Sequence, residues 1–166
     1  SMTAAADQYL DRCQELLNAV RAQCNEICLA AEWFAESILA GRVVHLFGAG
    51  HSRIMVEEMW PRYGSFPGFH PIVELSLTYH NQVIGANGQR QAMFLENTPG
   101  LAERILRNFE LSDQDCGLVV SSSGCNVVSI EVAEQMRRCG LKVVALVSQQ
   151  HCKASNSNHS SGAKLP

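Results

Sequence analysis

Two short polar segments, each directly after an apolar run, contain the residues best suited to bind a ligand. Residues 43–47 are apolar or β-branched apart from His45, and they lead into Gly48-Ala49-Gly50-His51-Ser52. Residues 117–120 lead into Ser121-Ser122-Ser123-Gly124-Cys125-Asn126. Both patterns predict a buried strand, a tight turn and the start of a helix. The N–H groups and dipole of a helix start suit an anion, most often a phosphate.

The first segment differs from the common nucleotide-binding motifs. A dinucleotide fingerprint requires a third glycine, and Arg53 occupies that position. A Walker loop is also absent from the sequence. The pattern therefore favours a phosphate over NAD or ATP, and a turn that only connects a strand to a helix remains an alternative.

Strand and helix patterns alternate four times along the chain. We predict strands at residues 43–47, 71–75, 117–120 and 142–147, with a helix at 53–60, a helical turn at 89–95, and helices at 98–109 and 127–138. Ser52 is expected to cap the first of these helices, and Thr98 with Pro99 to begin the third. The alternation predicts an α/β fold, a three-layer, doubly wound parallel sheet of order 2-1-3-4. In that order strands 1 and 3 are neighbours, so the two polar segments should meet.

Residues 4–40 have apolar side chains at a spacing of about 3.6, with no glycine or proline. We predict one long helix of about 50 Å, ended by Gly41, which is longer than a small domain is wide. A homodimer or higher homo-oligomer built on this helix is expected, and packing within one subunit is the alternative. Cys13, Cys24 and Cys28 fall on the apolar stripe and are expected to be buried, like Cys116.

Composition limits the class of protein. The chain of 166 residues is expected to form one domain, 1–166. Its net charge is −3 and it has no basic run, so neither nucleic acid nor a membrane is expected as a partner. No signal peptide or apolar stretch of spanning length is present, and the seven cysteines lack CxxC spacing, so we expect a reduced, cytoplasmic protein.

The two polar segments together resemble the SIS (sugar isomerase) domain, and the resemblance covers the chain from residue 7 onward. It extends to a bacterial branch of single-SIS-domain proteins, in which Gly-His-Ser is followed by Glu-Glu and a His-Ser-Ser-Gly stretch comes later, as at residues 159–162. The resemblance implies phosphosugar binding in carbohydrate-derivative metabolism, without cofactor or metal. The implied ligand contacts are Gly50, His51, Ser52, Ser121, Ser122, Ser123, Gly124 and Asn126.

Three activities agree with this resemblance: an aldose–ketose phosphosugar isomerase, a noncatalytic phosphosugar sensor or regulatory subunit, and an etherase-type lyase. Isomerisation needs a group that moves a proton between neighbouring carbons. Glu74 follows strand 2 and resembles in position an acid of some SIS isomerases, and it is our first candidate. Glu58, with Glu57, and His80 are further candidates, although each could be a surface group.

Histidines and a cysteine near these segments are further candidates for the site. SIS enzymes often contribute a histidine after strand 4, where this chain has His151 and His159. His45, inside a strand, is expected to be structural. Cys125 stands at a helix start, which would lower the pKa of its thiol, but no phosphatase pattern follows it.

SIS domains usually continue with a fifth strand and a closing helix, and residues 162–166 end this sequence without them. We therefore expect strand 142–147 to lie at the sheet edge, covered by residues 148–166 or by a neighbouring subunit. Weak or absent isomerase activity is expected from this chain.

Overall fold

The computed structural model describes residues 2–78, 85 and 88–166, which contain four β-strands and helices on both sides of them. The strands are β1 Val44–Gly48, β2 Phe69–Pro71, β3 Cys116–Val120 and β4 Lys142–Leu146. The helices are α1 Met2–Arg21, α2 Cys24–Leu39, α3 Arg53–Glu58, α4 Leu75–Thr78, α5 Gly88–Leu95, α6 Leu101–Leu106, α7 Val127–Arg138 and α8 Gln149–Ala154. A 3-10 turn, Gly50–Ser52, directly precedes α3.

The strands form one parallel sheet in the order β2-β1-β3-β4. Gly48, the last residue of β1, is opposite Val120, the last residue of β3. The turns that follow the two strands therefore begin side by side at the carboxyl edge of the sheet. The predicted fold class and strand order are confirmed.

Apolar side chains are buried on both faces of this sheet. On one face Val44 and Leu46 pack with Trp33 and Phe34 of α2. On the other, Phe47 and Val119 belong to a larger cluster that includes side chains of α6 and α7. Fully burying a Val, Leu or Phe side chain contributes about 1.5–3 kcal/mol. The sheet is thus a rigid base from which the two polar turns project.

β2 lies earlier in the sequence than predicted, at Phe69–Pro71 instead of 71–75. The N–H of Val44 donates to the carbonyl of Gly68, which starts the pairing there. The ring of Phe69 packs edge-on against Phe34 at 5.9 Å between centroids. Contact with α2 therefore sets the start of the strand, and Glu74 lies three residues beyond its end.

The N-terminal helical region is long, as predicted, but it is divided into α1 and α2. The N–H of Gln23 donates to the carbonyl of Val20, three residues back, at 3.0 Å, so one tight turn separates the two helices. None of the described side chains from residue 3 to residue 30 is buried. Cys24 and Cys28 are exposed, so their predicted burial is wrong, whereas Cys116 is buried.

The apolar stripe of α1 remains open in this chain. The side chains of Leu17 and Val20 are 58% and 52% exposed. The predicted dimer contact stays a prediction, because the structure contains a single chain. Among the residues described, no helix has both the length and the apolar character needed to cross a membrane.

β4 forms the far edge of the sheet and pairs only with β3 in the described part of the chain. Residues 148–166 add no strand to this edge: they contain the helix α8, and the N–H of Leu165 donates to the carbonyl of Gly124. Ala163, Lys164 and Leu165 instead form one wall of a cavity of about 440 Å³ beside β4. Cover by a neighbouring subunit remains a prediction.

A buried ionic network lies at the opposite, amino edge of the sheet. The side chain of Asp115 is completely buried and accepts two hydrogen bonds of 3.0 Å from the guanidinium of Arg42. It also accepts from the N–H groups of Ser112 and Val43, and it lies 3.1 Å from Nε2 of His45. His45 is therefore a core residue, far along β1 from the polar turns.

The carboxyl group of Asp115 is held in its charged form by these contacts. Burial by itself would raise its pKa, but the bonds from Arg42, Ser112, His45 and Val43 outweigh burial and lower the pKa from 3.8 to about 2. Next to it, Nδ1 of His45 lies 3.0 Å from Nδ1 of His70 on β2. Burial, together with the neighbouring His45, lowers the pKa of His70.

Candidate functional site

A cleft of about 260 Å³ lies where the turns after β1 and β3 meet. Seven of the eight predicted ligand contacts line it: Gly50, His51, Ser52, Ser121, Ser122, Ser123 and Asn126. Residues that sequence reasoning did not assign to ligand contact also line it, among them Met93, Glu96 and Ser129. The predicted meeting of the two polar segments is therefore present in the structure.

The first turn has space for glycine only. A Cβ on Gly48 would lie 2.6 Å from the backbone oxygen of Ser52, so the turn could not close over a larger residue. Gly50 has a φ of +58°, which is the left-handed region that favours glycine. Below the turn, the guanidinium of the buried Arg53 donates to the carbonyl of Gly50 at 2.9 Å. Arg53 thus supports this turn in place of a third glycine.

Ser52 does not cap α3 as predicted. Its backbone is already helical, with φ −65° and ψ −16°, because the 3-10 turn begins two residues earlier. Its N–H donates to the carbonyl of Ala49, and its side chain makes no capping hydrogen bond. The Ser52 hydroxyl is therefore available to a ligand in the cleft.

Thr98 does not cap a helix either. Its hydroxyl donates to the carbonyl of Phe94 at 3.4 Å, and α6 begins at Leu101 after Gly100 in the left-handed region. The helix predicted at 98–109 is therefore shorter at both ends.

The three serines after β3 form different hydrogen bonds. The Oγ of Ser121 accepts from the N–H of Gly124 at 3.0 Å, and the Oγ of Ser123 accepts from the N–H of Cys125 at 3.3 Å. These bonds shape the turn and leave each hydroxyl proton free to be donated. The Oγ of Ser122 is 2.8 Å from Nδ1 of His151 on α8, which brings that histidine into the cleft wall.

Gly124 shapes the site without lining it. It has a φ of +65°, and a Cβ there would lie 3.2–3.4 Å from Val147, Leu165 and Pro166. The thiol of Cys125 is buried beside it and donates to the carbonyl of Ser123. Burial raises the pKa of the Cys125 thiol, so the expected lowering by the helix start is wrong.

Glu96 is the acidic group of the cleft, and sequence reasoning missed it. It follows the last residue of α5, and its backbone carbonyl accepts from the N–H of Val128 at the start of α7. A Cβ on Gly50 would lie 3.8 Å from its Oε2, so the carboxylate faces the first turn. Burial raises the pKa of Glu96, while a hydrogen bond from Asn126 acts in the opposite direction.

Two of the three predicted catalytic residues, Glu74 and Glu58, do not line the cleft. Glu74 is half-buried, and its carboxylate accepts from the N–H of Leu77 in α4 at 2.9 Å. Glu58 is exposed on α3 and forms an ion pair with Arg62. His80 lies outside the described residues, and the role of all three remains untested.

Two other candidates also pair outside the cleft. Oε1 of Glu57 is 3.3 Å from Nε of Arg53, and Nδ1 of His159 is 2.6 Å from the Oγ of Ser161. His51 lines the cleft from the first turn and is exposed.

The cleft combines hydroxyl donors with groups that can transfer a proton. Hydroxyls of Ser52, Ser121 and Ser123 can donate to an anion without a nearby lysine. Glu96 and His151 each have a side chain that can accept or donate a proton, and burial raises the pKa of the Glu96 carboxyl group. The site can therefore hold a small anionic molecule and move a proton on it.

Comparison of the sequence with known proteins identifies one matching family. The sequence model of the SIS domain matches residues 8–148. A UPF0309 protein of Thermoanaerobacter pseudethanolicus is 32% identical over 161 residues, which are 95% of this chain and 63% of the relative. UPF0309 proteins of Halalkalibacterium halodurans and Listeria innocua are 29% and 33% identical over 99% and 96% of this chain, and 66% and 62% of their own length. The chain thus spans a little under two thirds of these relatives.

Solved structures share the fold at low sequence identity. A phosphoheptose isomerase from Neisseria gonorrhoeae superposes with a TM-score of 0.62 at 15% identity, over 92% of this chain and 80% of that one. A phosphoheptose isomerase from Francisella tularensis gives a TM-score of 0.62 at 16% identity, over 95% and 82% of the two chains. At such identities the likeness concerns the fold alone.

Proposed function

Because the chain belongs to the SIS domain family, we propose that its cleft binds a phosphorylated sugar. The observation that carries the proposal is the meeting of two turns, Gly50–Ser52 and residues 121–123, in one cleft. The phosphate lies between Ser52 and the serines after β3, where hydroxyl protons can be donated to its oxygens. The structural likeness to two phosphoheptose isomerases supports a sugar phosphate as the ligand class.

We further propose that proton transfer on the sugar uses Glu96. In an aldose–ketose isomerisation, a base removes the proton from C2 of the open-chain aldose and returns it to C1, while protons are exchanged at the two oxygens. A carboxylate with a raised pKa suits such a base, because its proton affinity lies closer to neutral pH. His151, held by Ser122, is placed to serve the oxygens. Glu74 remains a second candidate for the base.

A noncatalytic phosphosugar-binding protein is the second candidate. The observation in its favour is that Glu58, a predicted catalytic residue, lies on the surface and is paired with Arg62. Both candidate functions use the same phosphate contacts. For each of them we propose a homodimeric, cytoplasmic protein. They differ in whether a bound phosphosugar is converted, which chromatography of the incubated sugar measures.

The phosphate contacts are tested by thermal unfolding with hexose, heptose and amino-sugar phosphates. A ligand at a hundred times its Kd adds about 2.7 kcal/mol of stability, which raises the Tm by roughly 5–10 °C for a domain of this size. The double variant Ser52→Ala with Ser123→Ala should bind about a hundredfold more weakly or worse, since a hydrogen bond to a charged group contributes about 1.5–3 kcal/mol.

The matched control is Ser155→Ala with Ser160→Ala, which removes two serines that do not line the cleft. It should bind the phosphosugar like the wild type. The unphosphorylated sugar should bind both double variants and the wild type equally. An equal loss of affinity for the phosphorylated and unphosphorylated sugars in the Ser52 and Ser123 variant would contradict the proposed phosphate position.

A further inference from the structure

We propose that Asn158, in the segment after α8, is a positioning residue for Glu96. Asn158 acts through Asn126 by fixing which end of the Asn126 amide faces the carboxylate. The role in ligand chemistry rests on the proposed function of the cleft, whereas the orientation itself does not.

The orientation starts from a backbone carbonyl. The Nδ2 of Asn97 donates to the carbonyl of Met93 at 3.2 Å. A carbonyl can only accept, so this bond directs the NH2 end of the Asn97 side chain toward Met93 and leaves its Oδ1 on the other side. Only a donor can bind that oxygen.

Asn158 supplies this donor and also fixes the orientation of the Asn126 amide. Its Nδ2 donates to Oδ1 of Asn97 at 2.9 Å and to Oδ1 of Asn126 at 3.3 Å. An NH2 group has two protons, so it can serve both oxygens. Since Oδ1 of Asn126 is occupied in this way, its NH2 end is left for the cleft. Glu96 lines the same cleft, and its backbone carbonyl is bonded to Val128, two residues after Asn126. The NH2 group of Asn126 therefore faces the Glu96 carboxylate, whose pKa it lowers.

Backbone hydrogen bonds attach the segment that contains Asn158 to the turn after β3. Its own N–H donates to the carbonyl of Cys125 at 2.9 Å, and the N–H of Leu165 donates to the carbonyl of Gly124 at 2.9 Å. The segment after α8 is therefore attached at two points to the turn that follows β3. The backbone of Asn158 therefore stays next to the turn that contains Asn126 unless these bonds open.

The loss of Asn158 has a defined consequence for Glu96. Without a donor at its oxygen, the Asn126 amide can rotate and present Oδ1 to the carboxylate, which destabilises the charged form. The protonation midpoint of Glu96 should then move to higher pH. The other titratable side chains of the cleft are His51 and His151, and His159 next to Asn158 is engaged with Ser161 and Glu131. None of these is altered in the variants below.

The test is a ¹³C NMR titration of the Glu96 carboxyl group in the ligand-free protein, with the signal identified by its loss in Glu96→Gln. Asn158→Asp keeps the shape of the side chain but offers two acceptors and no donor. Asn158→Ala removes the donor without adding charge. Asn156→Asp, at an exposed position two residues away, adds the same charge and keeps Asn158.

We expect the Glu96 midpoint to rise in Asn158→Asp and Asn158→Ala and to stay near the wild-type value in Asn156→Asp. Binding of the same phosphosugars is measured on these proteins. The acid limb of any pH profile should shift to higher pH together with the Glu96 midpoint. An unchanged midpoint in Asn158→Ala, with equal midpoints in the two aspartate variants, overturns the proposal even if phosphosugars bind. A midpoint that rises in a protein stabilised by no phosphosugar supports the orientation and refutes the proposed function.

Discussion

Replacing Asp115 with asparagine should destabilise the fold strongly without touching the cleft. The side chain of Asp115 is fully buried and joins Arg42, the N–H groups of Ser112 and Val43, and His45. Asparagine has nearly the same shape but carries no charge, so Asp115→Asn removes the ionic contact and little packing.

The size of the effect follows from the pKa. The folded protein lowers the pKa of Asp115 from 3.8 to about 2, although burial alone would raise it. Each pKa unit corresponds to 1.36 kcal/mol, so the charged form contributes about 2.4 kcal/mol at neutral pH. Since the folded pKa is the lower one, this stability is present above pH 4 and is lost as the pH falls toward 2. At pH 3 about half of it should remain.

Urea denaturation followed by circular dichroism measures the free energy of unfolding of both proteins at pH 7, 4 and 3. The difference between wild type and Asp115→Asn should be about 2–3 kcal/mol at pH 7 and should narrow at pH 3. Asp113→Asn, an exposed neighbour, serves as the control and should change stability by less than about 0.5 kcal/mol. A loss below about 0.5 kcal/mol in Asp115→Asn, or a difference that does not depend on pH, would refute this reasoning.

Two further predictions concern surfaces of the chain. Leu17→Lys with Val20→Lys should convert an associated protein into monomer or aggregate in sedimentation at micromolar concentration, because both side chains belong to the exposed stripe of α1. The control, Gln8→Lys with Asn18→Lys on the other side of the helix, should leave the association unchanged. An unaltered dimer in the first variant would place the interface elsewhere. The amides of β4 should exchange slowly, because we expect a neighbouring subunit to cover them. Fast exchange of these amides in an unassociated protein would contradict this expectation.

The turns that form the cleft could be predicted because their signals are local. Gly48 and Gly50 mark a tight turn by residue type, and the run Ser121–Ser123 marks the second by composition. Parallel pairing of β1 with β3 then brings the two together, as the strand order predicted. Seven of the residues predicted to contact a ligand therefore line one cleft.

Glu96 could not be predicted in the same way, because its place depends on packing between elements distant in sequence. It follows a helix and precedes a loop, a common position for a surface glutamate, and the bond between its carbonyl and Val128 brings it to the cleft. A search for carboxylates at the ends of helices on the carboxyl side of the sheet could have found it. The contact of His151 with Ser122 likewise requires α8, a helix of six residues that the sequence pattern did not predict.

Local rules also gave some wrong boundaries. Ser52 has the composition of a cap, but the left-handed Gly50 starts helical turns two residues earlier. The apolar run at 71–75 suggested β2, whereas the bond from Val44 to Gly68 starts the pairing at Phe69. At Ser52 a neighbouring glycine changes the local geometry, whereas at β2 a contact with another part of the chain outweighs the local preference.

The exposed stripe of α1 has a consequence for how the protein folds. Helix nucleation is costly, and helices in proteins gain most of their stability from packing an apolar face. Because none of the described side chains of α1 is buried, little within this chain stabilises Met2–Arg21 against the helix–coil transition. Association that covers the stripe would supply the missing free energy by mass action. We therefore expect the helical content of this segment to depend on protein concentration, and dilution should melt α1 before it disturbs the sheet.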